Sequence, residues 1–121
     1  MADKNSFIQS VNTGYTFKGE SFVVGAAILN GEVLSEALVR LPLKTLNRHG
    51  LIAGATGTGK TKTLQVIAEG LSNASVPVMV MDIKGDFSGI AEQGSLNDKI
   101  KERYGKMALE YVPGSFPVEL M

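Results

Sequence analysis

No stretch constrains this chain more than Gly54-Ala-Thr-Gly-Thr-Gly-Lys-Thr61. Its three glycines remove Cβ atoms from a short segment that separates an apolar triplet, Leu51-Ile-Ala53, from a run with helical spacing. A backbone freed in this way curls tightly. Successive amides in such a curl point inward and form an anion-sized nest, and a helix starting near Lys60 adds its positive end. The spacing Gly-x-x-x-x-Gly-Lys-Thr is the phosphate-loop pattern, in which the lysine reaches the β- and γ-phosphates and the hydroxyl completes a Mg²⁺ shell. The expected ligand is therefore a nucleoside triphosphate, ATP with Mg²⁺. The candidate contacts are Gly54, Ala55, Thr56, Gly57, Thr58, Gly59, Lys60, Thr61 and Lys62, with Lys60 as the catalytic candidate and Thr61 as a metal ligand. The bland alternative is a Gly/Thr-rich surface turn with a solvated lysine.

Composition narrows the remaining possibilities. A chain of 121 residues holds one modest domain or a piece of a larger one, and 44% apolar with 20% charged residues is ordinary for a globular chain. Twelve basic and twelve acidic residues cancel, so the overall balance lacks the basic excess typical of nucleic-acid binders. The absence of cysteine rules out disulfides, zinc-thiolate sites and a cysteine nucleophile. The start Met1-Ala-Asp-Lys-Asn-Ser lacks a secretory pattern, and the longest apolar stretches, residues 22–29 and 76–81, are far too short to span a bilayer. A cytoplasmic protein with no membrane partner is expected.

Along the chain, residues 1–20 read as a loose polar lead-in. Phe22-Val-Val-Gly-Ala-Ala-Ile-Leu29 suits a strand, and Asn30-Gly31 tolerates the positive φ angles of a two-residue hairpin turn. The return leg is ambiguous between a helical face and a strand ahead of Pro42, and β is the preferred reading. Leu51-Ile-Ala53 reads as a buried strand and residues 60–73 as a helix with Leu64, Ile67, Ala68 and Leu71 on one face. Val78-Met-Val-Met-Asp82 reads as a second strand covered on both faces. Ser95-Leu-Asn-Asp98 resembles a capping box before a helix, and Leu109-Glu-Tyr-Val112 a third strand. Strand, helix, strand, helix, strand implies α/β architecture, a parallel sheet flanked by helices, over residues 47–121 after a short β-rich segment within residues 1–46.

Asp82 closes an apolar run, the place of a second metal-site carboxylate. The next residue is Ile83 where many ATPases place a catalytic Glu. Three readings of Asp82 therefore stand: a Mg²⁺-shell carboxylate, a carboxylate supporting the phosphate loop or a subunit contact, and a cap on the following turn. Lys84 and Asp86 fit either turn chemistry or a role at the nucleotide. His49, the single histidine, reads as structural. Lys99, Lys101, Arg103 and Lys106 alternate with acids, as on a solvated helix face.

Taken together, Asn47-Arg-His-Gly, the phosphate loop, Leu64-Gln-Val-Ile-Ala-Glu69, Val76-Pro-Val78 and Asp82-Ile-Lys-Gly-Asp-Phe-Ser-Gly89 resemble the bacterial HerA-like helicase family, of the HerA/FtsK branch of RecA-like P-loop ATPases. The resemblance is strong over residues 38–93. It implies a RecA-like core, ATP hydrolysis, hexameric rings and translocation on double-stranded DNA, and it carries the family loop onto residues 54–61. It also implies that the metal carboxylate and catalytic glutamate belong to a later strand. Members are several times longer, so the chain is expected to correspond to the N-terminal part of such an ATPase. Two rival functions remain: a nucleotide-binding module without catalysis, and a small phosphotransferase.

Overall fold

A computed structural model describes residues 3–121. In chain order the elements are α1 (Lys4–Gly14), β1 (Ser21–Leu29), β2 (Glu32–Pro42), a 3-10 turn at Leu43–Thr45, α2 (Lys60–Asn73), a 3-10 turn at Ser88–Ala91 and α3 (Asp98–Lys106). They group into two compact units. One holds the chain up to Arg48 with Leu96–Tyr111; the other holds His49–Ser95 with Val112–Met121.

The first unit is organised by a hairpin. Asn30 (φ +52°) and Gly31 (φ +82°) both occupy the left-handed region, as a tight two-residue turn of matching twist requires. The strands then pair antiparallel from Leu29↔Glu32 to Ser21↔Pro42, and the register shifts at Val23/Gly25 and again at Ala26/Ala27. Extra residues at a shift bend and twist the ribbon. Between the partners Leu34 and Leu38 on β2, Ala37 is fully buried, and Leu34 is only 2% exposed.

Residues 4–14, expected to be part of a loose lead-in, form α1. The Asp3 carboxylate accepts from the Asn5 amide at 3.4 Å, Lys4 pairs with Glu32 at 2.7 Å, and Asn12 donates to the Glu36 carbonyl at 3.0 Å. Only Phe7, Ile8 and Val11 are half-buried in this otherwise polar helix. So short a helix is marginal alone, and its stability comes from packing beside β2 rather than from its own sequence.

α3 starts on Asn97, whose Oδ1 accepts from the Ile100 amide at 2.9 Å; the cap is Asn97 rather than the expected Ser95. The helix stops with Ala108 at φ +52°, Leu109 N–H bonding the Tyr104 carbonyl at 3.0 Å and Ala108 N–H bonding that of Gly105 at 3.0 Å. That is a Schellman end. The Tyr104 and Tyr111 rings then meet edge-on at 5.1 Å.

In the second unit α2 occupies the expected span, with a rotated face. Gln65 and Ala68 are the buried positions, whereas Leu64 is exposed. The helix also closes in a Schellman end, with Ser75 at φ +59° and Val76 N–H on the Leu71 carbonyl at 2.9 Å. Phe87 is buried, and Phe116 N–H donates to the Ile90 carbonyl at 3.2 Å, tying the last segment to this unit.

The expected RecA-like core does not form. Residues 51–53, 78–82 and 109–112 carry no strand pairing, and among the described residues the sheet is the two-stranded antiparallel hairpin alone. The fold is a small α/β arrangement without a parallel sheet. A parallel strand needs at least one neighbouring strand to pair its amides and carbonyls, and apolar cover on both faces. Here Leu51, Met79 and Met81 are largely exposed and Ile83 is 99% exposed, so the side chains that would bind such a sheet together face water.

Candidate functional site

The loop 54–61 takes its shape from two glycines and one carbonyl. Gly57 (φ +82°) and Gly59 (φ +95°) sit in the left-handed region, where a Cβ is strained. Gly54 has no such φ. Its constraint is steric, because a Cβ there would lie 2.6 Å from the Thr58 hydroxyl. The Ala55 carbonyl accepts three donors: Thr58 N–H at 3.3 Å, Thr58 Oγ1–H at 2.7 Å and Lys60 Nζ at 2.8 Å. Ala55, Thr56, Thr58, Thr61 and Lys62 are exposed and Lys60 is half-buried.

α2 begins directly behind this loop, and its N-terminus is electrostatically unbalanced. Its N-cap is Gly59, which offers no side-chain cap, and no acidic residue lies in the first turn. Lys60 and Lys62 stand there instead. The first amides of a helix lack intrahelical partners and carry the positive end of its dipole, which favours anions and disfavours cations. Two lysines at that end leave it short of negative charge. Thr63 closes the first turn through its N–H and hydroxyl, both on the Gly59 carbonyl at 2.9 and 3.2 Å.

Asp82 lies in an exposed loop of the same unit. Oδ1 accepts from Gly85 N–H at 3.0 Å and Oδ2 from Phe87 N–H at 2.7 Å, while Gly85 takes φ +75°. The carboxylate thus holds its own turn in shape. Gln65 Nε2 donates to the Asp86 carbonyl at 3.4 Å, joining α2 to this turn.

The family model for the helicase HerA-like C-terminal domain matches residues 28–121. The chain belongs to this family. Compared with curated proteins and with solved structures, it finds no match.

As a relative of the HerA-like helicases, the chain brings Gly54 through Lys62 together by sequence continuity, while Asp82 is engaged by amides of its own turn. Lys84 and Asp86 are exposed, and His49 is exposed with no strand following it. Lys99, Lys101, Arg103 and Lys106 are all exposed on α3, with Lys106 paired to Glu102 at 2.6 Å. Among the described residues no three His, Asp or Glu side chains cluster as a metal site, and no helix is long and apolar enough to cross a membrane. A shallow depression along α1, lined by Asn5, Ile8, Gln9, Asn12, Thr13 and Thr16, contains no ionisable side chain and offers no chemistry.

One residue and one role escaped the sequence reading. Gln65 is buried at a helix position where Leu64 was the expected core residue; its 65/68 pairing with Ala68 at an i,i+3 step was the available signal. The role is that of Thr58. Its hydroxyl organises the loop locally, a role invisible in a pattern that allows any residue there.

Proposed function

We propose that this HerA-like chain binds MgATP at residues 54–62 and serves as the nucleotide-binding part of an ATPase that hydrolyses it in the complete protein. The observation that carries the reading is the N-terminus of α2, uncapped by any side chain, free of acids and bearing Lys60 and Lys62. A polyphosphate supplies the missing negative charge and accepts from the unpaired first-turn amides.

Within this reading each residue has a task. Gly57 and Gly59 let the backbone wrap the anion through their left-handed φ angles. Lys60 keeps one N–H on the Ala55 carbonyl and turns its other donors to phosphate oxygen. Thr61, whose side chain is exposed, would ligate Mg²⁺, and the ion when bound neutralises charge on the phosphate oxygens. Lys62 adds charge at the rim. Asp82 supports the turn beside α2 and, in the alternative role, joins the metal shell. Family membership extends the proposal to a cytoplasmic ring, a homo-hexamer acting on double-stranded DNA.

The test is titration of a fluorescent ATP analogue with Mg²⁺ into the wild type and Lys60→Ala. Saturable binding that disappears in the variant supports the reading; equal affinity in both rejects it. A second reading, binding without turnover, is favoured by one observation: the residue after Asp82, where many ATPases place a catalytic Glu, is the exposed apolar Ile83. Rapid ATP hydrolysis by the purified chain excludes that second reading.

A further inference from the structure

Three donors on one carbonyl is an unusual concentration for an exposed loop, and the third is a charged ammonium. A carbonyl oxygen has two lone pairs, so three donors share it and its position becomes tightly defined. Two of them come from Thr58, three residues downstream. The same Thr58 hydroxyl stands where a side chain on residue 54 would go, 2.6 Å from an ideal Cβ, whereas the Thr58 Cβ would lie at an ordinary 3.6 Å. Rotating the hydroxyl away would relieve that collision only by breaking its bond to Ala55.

We propose that Thr58 is a positioning residue: its hydroxyl fixes the Ala55 carbonyl as the resting place of the Lys60 ammonium, and the missing side chain at Gly54 exists to make room for it. Gly54 and Thr58 then form one device, and Lys60 is held in the loop and aimed before any phosphate arrives. An ammonium kept in place loses less freedom on binding than one free in solvent, which raises affinity. The inference rests on the nucleotide-binding reading above, since the purpose of the device is to present Lys60 to a polyphosphate.

The test combines binding of the fluorescent ATP analogue with the ¹³C chemical shift of the Ala55 carbonyl in the nucleotide-free chain. Thr58→Val, which keeps the shape and removes the hydroxyl, should weaken binding about 3- to 10-fold, the worth of one neutral hydrogen bond. Thr58→Ser should restore affinity to within about twofold of wild type. Gly54→Ala should weaken binding roughly tenfold alone yet add little in a Thr58→Ala background, because the collision partner is gone. The Ala55 carbonyl shift should move in Thr58→Val and Lys60→Ala and stay near wild type in Thr58→Ser. Wild-type binding with Val and Ser behaving alike, or a Gly54→Ala loss of equal size in both backgrounds, overturns the role of Thr58. A carbonyl shift that behaves as expected in a chain that binds no analogue overturns the nucleotide reading instead, and leaves the hydrogen-bonded hub standing without that purpose.

Discussion

The hairpin unit and the loop unit are built on opposite principles. In the hairpin, backbone groups satisfy one another along two strands, and Leu34 and Ala37 are sealed from solvent. In the other unit the buried positions are Gln65, Ala68 and Phe87, one of them polar, and the loop 54–61 is exposed almost throughout. One unit spends its residues on cohesion. The other leaves amides, hydroxyls and ammonium groups facing outward, where they are open to a ligand.

Four substitutions would break or sharpen that contrast. Leu34→Ala removes the largest fully buried side chain and should cost about 2–5 kcal/mol, read by chemical denaturation. A loss well under 1 kcal/mol would mean that the hairpin is not where cohesion resides. Lys60→Ala should lower affinity for the ATP analogue about 30- to 100-fold, as expected for loss of a charge-assisted bond, while leaving the denaturation midpoint unchanged. If it destabilised the chain as Leu34→Ala does, the division of labour would fail.

Gly59→Ala forces a Cβ onto φ +95° and should cost roughly 1–2 kcal/mol locally, appearing as about a tenfold loss of affinity. Wild-type affinity would show that the loop tolerates another path. The smallest effect is expected at Glu69 on α2. Burial raises its pKa above the usual carboxylate value, and Lys62 partly opposes this. A raised carboxylate pKa means the folded chain holds the proton more tightly. The associated stability is full below the unfolded pKa and is lost as pH rises through the folded value. Glu69→Gln should therefore flatten the stability–pH curve above about pH 4.5 and slightly raise the melting temperature at pH 7. An unchanged curve would show that this carboxylate is effectively solvated.

Legibility in the sequence followed the range of the interactions. Asn30-Gly31 and the helical run from Lys60 to Asn73 carry local signals, and both elements formed where those signals lie. The left-handed angles at Gly57 and Gly59 were likewise readable from residue type, since few residues accept them. What failed was non-local. The runs at 51–53, 78–82 and 109–112 are apolar without a period, and such runs do not reveal whether a neighbouring strand exists to pair with them. α1 was missed for the complementary reason: its stability depends on β2, about 20 residues or more away, through contacts such as Asn12 with Glu36. The constraint at Gly54 was legible as a need for glycine, but its cause, the approach of the Thr58 hydroxyl, exists only once the loop has folded.

The unpaired run Val78-Met-Val-Met81 also bears on contacts between copies of the chain in concentrated solution. Val78, Met79 and Met81 are exposed, and the run is uncharged and prone to extended stacking, the kind of segment that seeds cross-β assembly between copies. Pro77 on one side cannot donate to a growing ladder, and the Asp82 carboxylate on the other repels its counterpart in an incoming copy. Both flanks thus carry residues of the kind that keep such a run from pairing with a second copy.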